Sequence, residues 1–312
     1  MTQKSLALVF AGYGAQHQGM LRDLQGLSDL RIELARLLDA AEAMSGLQLS
    51  RIAEEGPDSL LAELRVAYPL LFIADYLWAR YAREAGLRPL VLAGHDVGEY
   101  AALAHAGVVS PTAALSLVIR LSKLLQDCTQ GSDGATLVVL GLSIEAIGAL
   151  FAEDASASKV WVSCDNSADQ VILGGVRSAL EALIPGLREA GARQAILAPH
   201  TGALNTPLVK DAADNYRHIL EATELRDAKI PIVTGATAQT VMKGSEFQDL
   251  LASQVARTIR WREVAQRIAR MAPVIVVESG PGSTLSDLND TEEQVEYYSL
   301  AQSGIIKLLN RL

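Results

Sequence analysis

The feature that most constrains the fold lies around residue 96. The apolar run Leu90-Val91-Leu92-Ala93 passes without a linker into Gly94-His95-Asp96-Val97-Gly98, and helix-forming residues follow. A buried strand that turns at once into a helix needs small residues on both sides of the bend. The G-x-x-x-G spacing supplies them and leaves one side chain, Asp96, on the bend itself. Helix N-terminal amides face such a position, so a carboxylate is electrostatically comfortable there. Two readings of Asp96 follow. It is an ordinary helix N-cap, or it is a reacting group aimed into a pocket.

A second strand-to-turn junction opens the chain. Residues 6–10 read as a buried strand that ends in Gly12-Tyr13-Gly14-Ala15-Gln16. The spacing is not G-x-G-x-x-G, so a dinucleotide fingerprint is not supported. The turn is either simply tight or lets backbone approach a ligand closely. Helical patterns are expected over 30–43, over 60–85 as one long helix or a helix pair with Pro69 marking a break or a new first turn, and over 112–125. The stretch 94–107 reads as strand end, sharp turn and helix. The middle changes character. Strands are expected at 135–140, 160–164, 170–173 and 194–198, with helices at 143–151 and 179–190. That β-α-β-β-α-β order is the signature of a ferredoxin-like unit. Afterwards helix is expected over 205–220, 247–258 and 261–271 and from about 283, with strands at 231–234, 274–278 and 296–299. The whole reads as an α/β protein, with an inserted subdomain within an otherwise parallel architecture.

Composition narrows the function classes. With 27 basic against 36 acidic residues in 312, the net charge is -9, and a nonspecific nucleic-acid binder needs the opposite balance. A chain of this length buries about three quarters of its extended surface, enough for one large core and a smaller unit. The two cysteines, Cys128 and Cys164, cannot build a disulfide framework, and a reducing compartment fits them. The apolar run after Lys4 is too short for a signal peptide or membrane span, so a cytoplasmic location without membrane association is expected. His95, His105, His200 and His218 lack metal-ligand spacing, and no metal is expected. Arg120 stands in the apolar stretch 115–125. It either snorkels to solvent or grips a carboxylate.

Taken together and in order, these segments resemble the malonyl-CoA:acyl carrier protein transacylase family, including the acyltransferase domains of polyketide synthases. The resemblance runs nearly end to end. The family's GQGSQ-like turn and following GM are similar to Gly12-Tyr13-Gly14-Ala15-Gln16 and Gly19-Met20. Its GHSxGEYAAL segment is similar to Gly94 through Leu103. Its substrate arginine and following glutamine look like Arg120 and Gln126. Asn166-Ser167 and Gln170-Val171-Ile172 match the family's small subdomain, and Leu204 to Val209 matches the stretch that carries its histidine. Pro231 to Gly235, Gln254 to Trp261 and Glu278-Ser279-Gly280-Pro281-Gly282 complete the series.

The resemblance implies an α/β hydrolase-like parallel-sheet domain with an inserted ferredoxin-like subdomain, the large part comprising 1–131 and 199–312 and the small part 132–198. It implies no resident cofactor and a coenzyme A or phosphopantetheine thioester as ligand. The implied partner is an acyl carrier protein, with a ketosynthase or other synthase component beside it.

The departures fall on the chemistry. Asp96 stands where the family has its nucleophilic serine, and Asn205 where it has its histidine base. Asparagine has no useful proton affinity, and a carboxylate attacking a thioester gives only a high-energy anhydride. His200, five residues upstream, is a candidate substitute base. Tyr13 stands at a family glutamine whose backbone amide helps form the oxyanion hole, and a backbone donor survives a side-chain change. Gly12, Gly14, His95, Val97 and Asn166 are expected around the same pocket, and Arg120 is expected to line it. Amide donors and Arg120 are expected to keep Asp96 ionised. Three functions follow. The first is an acyltransferase-like protein of polyketide or fatty-acid biosynthesis that binds an acyl thioester or carrier without the Ser-His mechanism. The second is a redirected hydrolase or decarboxylase using Asp96. The third is a noncatalytic scaffold.

Overall fold

The computed structural model describes residues 5–153, 155–198, 202–271, 275–288, 295–305 and 309. Among the described residues, ten strands form two sheets. They are β1 (Leu6–Phe10), β2 (Val91–Gly94), β3 (Gly134–Leu140), β4 (Val160–Asp165), β5 (Gln170–Val176), β6 (Gln194–Ala198), β7 (Ile232–Val233), β8 (Thr240–Val241), β9 (Ile275–Ser279) and β10 (Glu296–Ser299). The larger sheet has the order β10-β9-β1-β2-β7-β8, parallel except for β8. The chain is thus a mixed α/β fold built on a parallel sheet.

The continuous apolar strands have a cause. Leu6, Leu8 and Phe10 pack into one core with the helices Leu64–Glu84, Gly98–Ala106 and Pro111–Thr129, while Ala7 and Val9 pack into another with Trp261, Val264 and Ile268. A strand covered on both faces has no polar alternate positions. The loops after β1, β2, β7 and β9 gather at the carboxyl edge of this sheet, where α/β proteins bind ligands.

The smaller sheet is antiparallel, in the order β4-β5-β3-β6. With the helices Ile144–Glu153 and Arg177–Glu189 it follows the β-α-β-β-α-β order. It is tied to the larger unit along β4. Ile259 N–H donates to Ser163 O at 2.9 Å, Asp165 N–H donates to Ile259 O at 2.9 Å, and Thr258 Oγ1 donates to Val162 O at 2.7 Å.

Two expectations need correction. Pro69 neither breaks nor starts a helix, because Leu64–Glu84 runs through it. The break falls at residues 62–63, and the new helix start is secured when Leu64 N–H donates to Gln126 Oε1 at 3.1 Å. Pro69 sits in the second turn, so it removes one ladder bond near an end. The helix expected over 205–220 starts only at Lys210, after a 3-10 turn at Pro207–Val209. Thr206 caps that turn, accepting from Leu208 N–H at 3.3 Å, and Asn205 is left outside the helix with φ 54°. The short helices Arg22–Gly26, Leu49–Glu55 and Asp58–Leu61 and the strand β8 were not expected. Val274, expected to open a strand, lies outside the described residues.

Candidate active site

The bend between β2 and the helix Gly98–Ala106 places Asp96. A Cβ on Gly98 would overlap the carbonyl oxygens of Ala11 and Phe10, and one on Gly94 would overlap Glu99 N. The two glycines therefore press the helix start against the loop after β1. Asp96 takes φ 51°, a left-handed conformation that costs a non-glycine residue about 1–3 kcal/mol and persists only where its surroundings impose it. The cap position is Val97, and no side chain caps this helix. The N-cap reading of Asp96 is thereby set aside, because the bend turns its carboxyl away from the helix and into a cavity.

That carboxyl is held by donors. Tyr68 Oη donates to Asp96 Oδ1 at 3.2 Å. Burial raises the pKa of this carboxyl and outweighs the lowering effects of His95, the Tyr68 hydroxyl and the nearby backbone N–H groups of Val97 and Tyr13. The amides act on Asp96 in the expected sense, but burial is the largest effect and Arg120, expected to oppose it, is not among the groups acting on the carboxyl. The Tyr13 hydroxyl donates to Ala62 O at 2.7 Å, so it is committed outside the cavity. Burial and Asp96 push that phenol up to about 12.

His95 Nε2 lies 2.9 Å from Asn166 Oδ1, and Asn166 Nδ2 donates to Gln170 Oε1 at 2.7 Å. Asn166 thus offers His95 an acceptor, and Nε2 carries the ring proton. The imidazole packs edge-on against Trp261 with centroids 5.4 Å apart, and burial lowers its pKa. Asn205 Nδ2 donates to Gln254 O at 3.1 Å, and Gln254 Nε2 donates to the Asp96 backbone oxygen at 3.3 Å.

Gly12, Tyr13, Gly14, His95, Asp96, Asn166 and Asn205 all line one cavity of about 340 Å³ between the two sheets. Val97, expected around the same pocket, is instead buried in the main core and does not line the cavity. On the far side of Asp96 lies a second space of only about 10 Å³, walled by Tyr68, Tyr100, Leu121, Leu125, Leu251 and Val255 among others.

Arg120 is a correction. It is exposed and lines neither space. Each helical residue is turned about 100° from the last, and on Pro111–Thr129 that rotation brings Leu121 and Leu125 inward and carries Arg120 to solvent. Among the described residues, no lysine or arginine lines either space. His200 lies outside the described residues.

Tyr68, Leu121 and Gln254 are site residues that the sequence reading missed. Gln254 left a signal, since it shares a face with Phe247 and Leu251 and is a polar residue where apolar spacing predicts core. Tyr68 left none, sitting in a helix that is buried almost throughout. No group of three or more His, Cys, Asp or Glu is placed to hold a metal, and no helix is long and apolar enough to cross a membrane, among the described residues.

Residues 7–303 match the family model described as the acyl transferase domain. The malonyl CoA-acyl carrier protein transacylase of Haemophilus influenzae is 30% identical over 287 residues, covering 91% of each chain. That of Bacillus subtilis strain 168 is 26% identical over 285 residues, covering 91% of this chain and 89% of the relative. Among solved structures, the malonyl-CoA:acyl carrier protein transacylase of Xanthomonas oryzae pv. oryzae has a TM-score of 0.91 at 28% identity, covering 100% of this chain and 99% of that one. A malonyl-transacylase solved in complex with its type II PKS acyl-carrier protein has a TM-score of 0.90 at 28% identity, covering 98% and 99%.

Proposed function

The chain belongs to the acyl transferase domain family, and from that premise we propose that it serves fatty-acid or polyketide biosynthesis by binding the phosphopantetheine arm of an acyl carrier protein, without the serine-ester mechanism. We read 1–131 and 199–312 as a hydrolase-like large subdomain and 132–198 as a ferredoxin-like small one, and the two strand orders support that division. The solved transacylase in complex with its carrier supports the choice of partner.

One observation carries the reading. At the bend where the family resemblance expects serine, the carboxyl of Asp96 accepts from Tyr68 Oη and lies close enough to the Tyr13 and Val97 amides for them to lower its pKa. Those two amides are the donors a tetrahedral intermediate would need. Asn205, at the expected histidine, binds Gln254 O and supplies no base. A ping-pong transfer has neither nucleophile, base nor free oxyanion hole.

A second reading has its own support. The raised pKa of Asp96 and its bond to Tyr68 suit a general acid or base, which is what a redirected hydrolase would use. Measuring carrier binding and acyl release in parallel, for wild type and Asp96→Ala, separates the two. Carrier binding with negligible release in both proteins is the expected result. Rapid release that the alanine change abolishes would replace this reading with the hydrolase.

A further inference from the structure

We propose that the cavity selects the free-thiol form of a phosphopantetheine arm over its acyl thioesters, with Asp96 and Leu121 as the residues that set the choice. This rests on the reading of the cavity as an arm site and adds what the arm carries at its tip.

The first ground is room. The cavity of about 340 Å³ ends at Asp96 and Asn205, and the space beyond holds about 10 Å³. That is at most one water. Leu121, Leu125, Leu251 and Val255 wall that space, so an acyl group extending past the bend has no room there.

The second ground is the match of donors to acceptors. A thioester brings a carbonyl oxygen, an acceptor. Of the donors beside the bend, the Tyr68 hydroxyl already donates to Asp96 Oδ1, and the N–H groups of Tyr13 and Val97 act on the same carboxyl. A carbonyl oxygen placed there would face carboxyl oxygens and find no donor, and a buried acceptor left unpaired is costly. A free thiol brings an S–H, which donates to the carboxylate and needs none of those amides. Its single sulfur also stops short of the walled space.

The third ground is charge. No lysine or arginine among the described residues lines either space. A malonyl carboxylate would meet Leu121 and the acidic Asp96 and no cation, so it is disfavoured beyond the neutral acetyl group.

Calorimetric titration of the wild-type protein with coenzyme A, acetyl-coenzyme A and malonyl-coenzyme A tests this. Coenzyme A is expected to bind tightest, acetyl-coenzyme A about tenfold more weakly and malonyl-coenzyme A more weakly again. Leu121→Ala opens the walled space and Asp96→Ala removes the carboxyl from beside the two amides and the Tyr68 hydroxyl, so each should bring acetyl-coenzyme A towards coenzyme A. Equal or tighter binding of acetyl-coenzyme A by the wild type overturns the thiol preference while leaving the arm site standing. Failure of all three ligands to bind removes the arm site itself, and the preference with it. The wild-type comparison decides the matter even if a variant does not fold.

Discussion

Asp96 holds a backbone conformation that its neighbours impose, and the residues that impose it are glycines. Gly98→Ala would drive a methyl group into the carbonyl oxygens of Ala11 and Phe10. The expected cost is about 2–3 kcal/mol, read as a lower urea midpoint with an unchanged m-value. An unaffected midpoint would mean that the helix start is not jammed against the first loop. The same scale determines what restoring the family's chemistry requires. Asp96→Ser frees the hole but provides no base, and Asn205→His provides a base but no anchor for malonate. With Leu121→Arg added, a cation faces the acyl space. Malonyl transfer to a carrier is expected to stay near background in the single and double variants and to rise only in the triple variant. Full recovery in the double variant would show that Leu121 has no part in excluding malonate.

Among the elements, the helix Gly98–Ala106 carries a buried titration. Glu99 is fully buried, its Oε2 accepts from Gly235 N–H at 3.1 Å, and its Oε1 is without a partner among the described residues. Burial pushes its carboxyl up to about 8. The folded pKa exceeds the unfolded value, so its contribution is fully present below about pH 4.3 and is lost as pH rises to about 8. Across that window stability falls by up to about 1.4 kcal/mol per pH unit. Asp75, raised by burial and by Glu278, acts in the same sense. Urea midpoints from pH 5 to 9 should therefore fall less steeply for Glu99→Gln than for wild type. Parallel curves would contradict a protonated Glu99 in the fold.

Elements also show what a sequence discloses. The bend at Gly94 to Gly98 was legible because strand, glycine spacing and helix lie consecutively. The apolar pattern of Pro111–Thr129 gave the helix, but it did not give the rotation that sends Arg120 outward and Leu121 inward, because burial of an arginine depends on what packs opposite. The short helices between residues 22 and 61 are held by tertiary contacts and leave weak periodic signals.

For the whole molecule, the cavity depends on how the two sheets are joined. Arg262, on the helix after the parallel sheet's connecting segment, bonds Asp165 Oδ2 at 3.1 Å on β4 and Glu145 Oε1 at 2.6 Å on the small unit's first helix. Asp165 is buried, and its Oδ1 has no hydrogen-bond partner among the described residues. Arg262→Ala strands that carboxylate and is expected to cost about 3 kcal/mol, with coenzyme A binding weakened as the cavity wall loosens. A stability change under about 0.5 kcal/mol would show that the backbone bonds along Ile259 suffice. The element order anticipated a parallel and an antiparallel sheet, since each has a distinct pattern of strands and helices. How their surfaces meet was not legible, because residues such as Arg262 and Thr258 contact partners about a hundred positions away.

The central claim is that this site holds a carrier's arm without forming an acyl ester. The most direct test incubates the wild-type protein with labelled malonyl-coenzyme A and a holo acyl carrier protein, then reads both by intact mass. No acyl adduct on the protein and no malonyl-carrier above the uncatalysed level is the result expected from Asp96 and Asn205. A discrete adduct mapped to Asp96, followed by malonyl appearing on the carrier, would contradict it.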